Sequence, residues 1–297
     1  MDSYYGTLDQ AVPLIDDPSN RTEPSMVEGA LWRGTFDNLN LYSMYSTKQA
    51  GRYKKSWTNT GLNGIVDGDL KIIDKQPIYN FAAVWDNQKS NAKLGLQTQN
   101  QHSDQIWIES GHTWSTPGGN FMKADARAFY AKTKGDSRSL SESYNGKDST
   151  YVVSGQMFWI KDKLTLMGAA GRAGNKLNAL LDIDTDLGYV FDLSIDRNGH
   201  DMYSWQLASF YQLTPDLNAG FAVTVTDGYE DHTKQVEQKG LGGTLILMHE
   251  IKSGQLKGMQ TSFMYSKAKE DRKGSKRGDK LKYRDLKFTV HYPMNLF

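Results

Sequence analysis

The chain of 297 residues contains no cysteine and only seven prolines. Without thiols it forms no disulfide, no thiolate metal site and no cysteine nucleophile. It carries no dominant charge: 35 Lys and Arg against 34 Asp and Glu give +1, which argues against a nucleic-acid footprint. It also lacks any apolar run near the ~20 residues that a membrane helix needs. Hydrophobic residues make up 38% and mean hydropathy is -0.62. Spanning helices are therefore excluded, but a spanning β-barrel is not, because only alternate residues of its strands meet lipid. The opening MDSYYGTLDQ has neither the basic nor the apolar region of a signal peptide. The expectation is that a signal was removed or that the true N-terminus lies upstream.

Catalytic and metal motifs are missing too. There is no GxSxG, P-loop or dinucleotide fingerprint, and His102, His112, His200, His232, His249 and His291 show no metal-ligand spacing. His102 and Ser103 adjoin, but neighbours in a strand point to opposite faces, which separates a would-be base from its nucleophile. Asp182, Asp184 and Asp186 have the spacing of a calcium loop, yet Leu187 and Leu193 replace its Gly and Glu. The reading is of a non-enzyme without metal or cofactor, with an outer-membrane hydrolase as the enzymatic alternative.

What is present is aromatic side chains and alternation. Sixteen Tyr, seven Trp and eleven Phe suit membrane interfaces, where a ring keeps one end wet and the other dry. In the last segment, Leu286, Phe288, Val290, Tyr292, Met294 and Leu296 share one face, while Lys287, Thr289, His291 and Asn295 share the other. The pattern recurs in Tyr203, Trp205, Leu207 and Tyr211, and in Leu217, Ala219, Phe221, Val223 and Val225. Segments of about ten alternating residues separated by turn residues are the barrel signature. Spanning strands are predicted near 28–35, 37–46, 77–86, 91–100, 104–115, 120–132, 149–160, 163–172, 201–212, 216–226, 240–251, 257–268 and 284–296, about thirteen in all. Short turns (88–91, 116–119, 161–163, 214–216, 253–256) alternate with mostly long polar links (49–76, 135–148, 227–239, 269–283), as periplasmic and extracellular faces require. Keeping that parity places 173–200 in one long extracellular loop, although Tyr189, Phe191, Leu193 and Ile195 alternate. Single-chain bacterial barrels have even strand numbers, so thirteen suggests an N-terminal truncation.

A selective pore needs fixed charge where it is narrow. Lys123, Asp125 and Arg127 lie on one face of a strand whose other face carries Ala124, Ala126, Ala128 and Tyr130. Two readings stand for them: Lys123 and Arg127 guide anionic groups, or they balance Asp125 and other wall carboxylates. Arg33, Lys287 and His291 are further inward candidates. The segment Ala11 to Met26, with Asp16, Asp17 and Arg21, contains Pro13, Pro18 and Pro24, which discourage helix and ladder and predict a loop.

The tail RDLKFTVHYPMNLF, the preceding EIKSGQLKGMQTSFMYSKAK and the early RTEPSMVEG resemble the OprD-type porin family, which includes the chitoporins. Arg21, Pro24, Glu28 and Gly29 match a family motif that follows the pore-narrowing loop, with Val27 where an aromatic is usual. The resemblance runs from about Ile15 to Phe297. It implies an eighteen-stranded barrel, of which about five strands and the signal peptide are absent here, and a monomer or loose homotrimer. It further implies that residues 1–27 are the remnant of a constriction loop, with Asp16, Asp17, Arg21 and Pro24 in it, and that 28–297 are the C-terminal part of the barrel. The function implied is passive, moderately selective passage of small polar solutes such as amino acids, organic acids or chito-oligosaccharides across the bacterial outer membrane. Its partners would be small polar or anionic solutes and outer-membrane lipid and lipopolysaccharide. One departure matters: carboxylate-selective members carry an arginine ladder in the last two strands, whereas here the inward face offers Ser262, Met264 and only Lys287. The alternative is a non-transporting barrel acting as adhesin or receptor through its long loops.

Overall fold

A computed structural model describes residues 2–8, 26–50, 58–59, 61–66, 69–116, 119–175, 199–254, 256–274 and 280–291. The strands are β1 (Asp2–Leu8), β2 (Met26–Phe36), β3 (Leu39–Ala50), β4 (Thr58–Asn59), β5 (Gly61–Val66), β6 (Asp69–Lys75), β7 (Ile78–Asp86), β8 (Ser90–Gln99) and β9 (Ser103–Thr116). They continue with β10 (Asn120–Thr133), β11 (Ser149–Lys161), β12 (Leu164–Ala173), β13 (His200–Thr214), β14 (Leu217–Tyr229), β15 (Glu237–Glu250), β16 (Gln260–Lys273) and β17 (Lys280–His291). One helix, α1 (Asp136–Asn145), interrupts them. No described helix is long and apolar enough to cross a membrane.

The fifteen-stranded sheet runs β1-β2-β3-β7 and then in chain order to β17, with β4 paired to β3 and a separate β5-β6 hairpin. All thirteen strands expected from alternation are present, within about five residues at the ends that are described; 292–296 of the last lie outside the described residues. Two differences stand out. Asp2–Leu8 pairs antiparallel along β2 from Asp2↔Arg33 to Leu8↔Val27, so this part of segment 1–27 belongs to the sheet; residues 9–25, with Asp16, Asp17, Arg21 and Pro24, lie outside the described residues. The long links are not uniformly irregular, since they hold α1 and β5-β6. β12 pairs directly with β13; residues 176–198 of the link between them, with Asp182, Asp184 and Asp186, fall outside the described residues.

Short turns are closed by their own side chains. The amides of Gln88 and Ser90 donate to Asp86 Oδ1 and Asn87 Oδ1, both at 2.7 Å, and Thr214 Oγ1 accepts from the amide of Leu217 at 3.1 Å. Such Asx and Ser/Thr turns fix strand register cheaply.

The chain divides into two compact units, Met1–His112 with Ala126–Val152 and Asn175–Leu187, and Thr113–Asp125 with Val153–Gly174 and Gly188–Phe297. In the first, Leu31, Met44 and Ala82 cluster on the shielded face with Tyr42 against them, while Tyr79, Phe81 and Ile108 are exposed on the other. In the second, Met167, Ala169, Ala208 and Ala222 are shielded, while Leu207 is 74% exposed and Phe288 67%. The register keeps the faces consistent: Gln206 meets Thr224 and Ala208 meets Ala222 on the shielded side, and Leu207 meets Val223 on the other. Both units thus turn large apolar side chains outward and keep Ser46, Gln99, Ser154, Thr226 and Thr244 shielded. That arrangement inverts a water-soluble fold and demands lipid against the exposed face.

Candidate functional site

The inner face gathers charge through the strand register. In the first unit Lys93 stands opposite Glu109, and its Nζ reaches Glu109 Oε1 at 2.8 Å. Arg127 donates to Glu109 Oε2 from Nε at 2.9 Å and from Nη2 at 2.6 Å, with its guanidinium 4.7 Å from the Trp107 ring centre. One carboxylate therefore holds two cations, and the stacked ring fixes the plane of Arg127. Arg33 lies on the same face as Leu31, opposite Tyr42, whose ring centre is 5.6 Å from its guanidinium. It is exposed and donates to Asn40 Oδ1 at 3.3 Å.

In the second unit Lys123 Nζ meets Asp125 Oδ2 at 3.1 Å, and Gln156 Nε2 donates to the same oxygen at 2.8 Å. Asp125 is buried. Lys287 faces Met264 and His291 faces Gln260 across β16 and β17; His291 is exposed. A third cluster was not anticipated: β16 continues past the predicted end at 268 to Lys273. The extension puts buried Glu270 and Arg272 on the inner face, where Arg272 Nη2 reaches Glu270 Oε2 at 2.6 Å and Nη1 reaches Glu230 Oε1 at 3.3 Å. The penultimate strand thus does carry an inward arginine, held between two carboxylates.

Of the six residues singled out, Lys123 and Asp125 are paired with each other and Arg127 with Glu109, whereas Arg33, Lys287 and His291 form no ion pair among the described residues. Lys93, Trp107, Glu109, Gln156, Glu230, Glu270 and Arg272 were missed. Their one signal is cross-strand pairing, which becomes readable only when the register of neighbouring strands is known. In the link after β14, Asp231 closes a turn. Burial alone would raise its carboxyl pKa, but hydrogen bonds from Thr233 and from the amides of Val236 and Gln235 outweigh that and hold it below its ordinary value.

No family model matches the chain. Among solved structures, OccAB3 of Acinetobacter baumannii has a TM-score of 0.80 at 14% identity, over 98% of this chain and 73% of that one. OccK8 (OprE) of Pseudomonas aeruginosa has a TM-score of 0.74 at 17% identity, over 97% and 76%. OpdK of Pseudomonas aeruginosa with vanillate has a TM-score of 0.72 at 14% identity, over 98% and 75%. At such identities these matches establish the fold. In sequence, the membrane-associated protein UidC of Escherichia coli (strain K12) is 33% identical over 298 residues, covering 99% of this chain and 69% of UidC. The chain belongs to the OprD-type outer-membrane porin family. As an OprD-type porin it is an antiparallel transmembrane β-barrel protein of the bacterial outer membrane. The exposed apolar face of each unit is then a lipid face of the porin.

Proposed function

We propose that this OprD-type porin is a non-catalytic diffusion channel that passes small polar solutes, with a mild preference for anionic ones such as organic acids, over amino acids or chito-oligosaccharides. The observation that carries the reading is the inner-face charge pattern. Lys93 and Arg127 share Glu109, Lys123 takes Asp125, and Arg272 is held by Glu270. Among the described residues these pairs leave Arg33 and Lys287 as the inward cations to which a passing carboxylate is drawn, because low-dielectric walls strengthen that attraction. The vanillate held by the related OpdK supports an aromatic carboxylate as one candidate solute. Arg127 lines the channel wall in the first unit and Lys123, Asp125 and His291 line it in the second, with Lys123 and Arg127 acting chiefly to neutralise wall carboxylates. The segment 9–25, carrying Asp16, Asp17, Arg21 and Pro24, is the constriction loop, and 28–297 supply barrel wall. The assembly is a monomer or a loose homotrimer.

Reconstitution in planar bilayers tests this directly. Stepwise conductance is expected, with a reversal potential under a KCl gradient displaced toward chloride; Arg33→Gln with Lys287→Gln should move it toward potassium. A silent membrane contradicts the channel reading, and an unmoved reversal potential contradicts the assignment of the two cations.

A further inference from the structure

The outward face of β15–β17 changes character abruptly along the strands. On β16 it reads Phe263, Tyr265, Lys267, Lys269, Asp271 and Lys273, and on β17, read in the opposite direction, Phe288, Leu286, Arg284, Lys282 and Lys280. The cations are exposed, while Ser266, Ala268, Glu270 and Arg272 between them are buried on the inner face. The register stacks the change: Phe263 pairs with Phe288 and Tyr265 with Leu286, then Lys267 with Arg284 and Lys269 with Lys282. Two successive like-charge pairs directly across a ladder are unfavourable, and nearby acids relieve them only in part. Asp271 takes Lys269 at 3.1 Å and Asp227 takes Lys239 at 3.6 Å, while Glu237 stands 4.0 Å from Lys273. Lys267, Lys280, Lys282 and Arg284 form no ion pair among the described residues. Repelling cations are therefore left beside the upper edge of the apolar band, with Lys267 about 13 Å beyond Phe263 at ~3.3 Å per residue.

We propose that this patch binds the phosphate groups of an anionic, phosphorylated glycolipid of the outer leaflet, whose acyl chains lie along Phe263, Tyr265, Leu286 and Phe288. The inference rests on the outer-membrane placement of the barrel, with its long connections outside, and is independent of solute passage. Charge complementarity and continuity with the lipid-facing band fix the occupant. A phosphate seated between Lys267 and Arg284, or between Lys269 and Lys282, turns each repulsive pair into an anion clamp. A protein partner would not need the cations to abut a lipid-facing row.

The test uses the full chain folded in detergent micelles, with lipid A titrated in and bound lipid counted by native mass spectrometry. Each variant's folding is checked by heat-modifiable electrophoretic mobility. Lipid A is expected to bind well above its dephosphorylated form. The triple variant Lys267→Gln, Lys282→Gln, Arg284→Gln should weaken binding about a hundredfold, at roughly fivefold per cation. Lys161→Gln with Lys163→Gln, at the opposite end of the strands, should leave it unchanged. Equal binding of phosphorylated and dephosphorylated lipid, or equal binding by both variants, overturns the proposal. So does complete competition by millimolar inorganic phosphate, which would make the patch a free-anion site. Tighter binding of phosphatidylglycerol than of lipid A also overturns it, because it assigns the patch to the inner leaflet. If the triple variant does not fold, the comparison of the two lipid A forms on the unaltered protein still decides.

Discussion

Replacing Leu207 by arginine separates a lipid face from a water face by sign and size. Leu207 is the eighth of fifteen residues of β13, is 74% exposed and stands between Gly168 and Val223 in the ladder. In a water-soluble protein, an exposed leucine replaced by arginine changes stability by less than about 0.5 kcal/mol. With lipid against it, arginine near the bilayer midplane costs about 2–4 kcal/mol, falling to about 0–1 near the interface. The larger cost lowers the folded-to-unfolded ratio by roughly 30- to 1,000-fold, at 1.36 kcal/mol per tenfold. Leu213, next to the short turn on the same outward face, gives the shallow reference. The assay is urea titration of the chain folded into phosphatidylcholine vesicles, followed by tryptophan fluorescence. Leu207→Arg should be markedly destabilised and Leu213→Arg only slightly. Equal and negligible effects at both positions would refute lipid contact along β13.

Three further outcomes follow from the geometry. Glu109→Gln removes the negative charge shared by Lys93 and Arg127 and one of its two acceptor oxygens; it should cost about 1–3 kcal/mol and move channel selectivity toward anions, and an unchanged reversal potential would place this cluster away from the ion path. Gly29→Ala puts a Cβ 1.9 Å from the Tyr45 carbonyl oxygen, forcing β2 from β3 at about 1–3 kcal/mol; wild-type stability in urea would contradict that close approach. Asp231 has its folded pKa held below the ordinary 3.8, so it stabilises its turn above that value, and the contribution is lost as pH falls through the folded pKa. The amide signal of Val236, which donates to Asp231 Oδ1 at 3.2 Å, should titrate with a midpoint under 3.8, whereas a midpoint at or above it would show that these hydrogen bonds do not favour the carboxylate.

Where lipid imposes alternation, the fold was legible. Tyr203, Trp205 and Leu207 against Ser204, Gln206 and Ala208 marks β13 and orients its faces without any coordinate. Beyond the apolar band both faces are polar, so the signal stops before the strand does. That is why β16 was ended at 268 and β17 begun at 284, and why Glu270 and Arg272 were missed. β1 escaped notice because DSYYGTL is short and lacks a clean apolar-polar alternation. α1 has a serine-rich, polar sequence, a glycine on either flank and no side-chain cap, so neither helical periodicity nor a cap marks it. That Lys123, Asp125 and Arg127 share one face was readable from their own strand. Their partners were not, because Glu109 and Gln156 come from β9 and β11 and are selected by register.

The most direct test exploits the absence of cysteine, since each introduced thiol is then unique. Single cysteines at Asp285, Leu286, Lys287, Phe288, Thr289 and Val290 can be treated in intact outer membranes with a membrane-impermeant maleimide. Labelling at 285, 287 and 289, with protection at 286, 288 and 290, is the result expected of water on one side of the strand and lipid on the other. Labelling of the even positions as fast as the odd ones would contradict it.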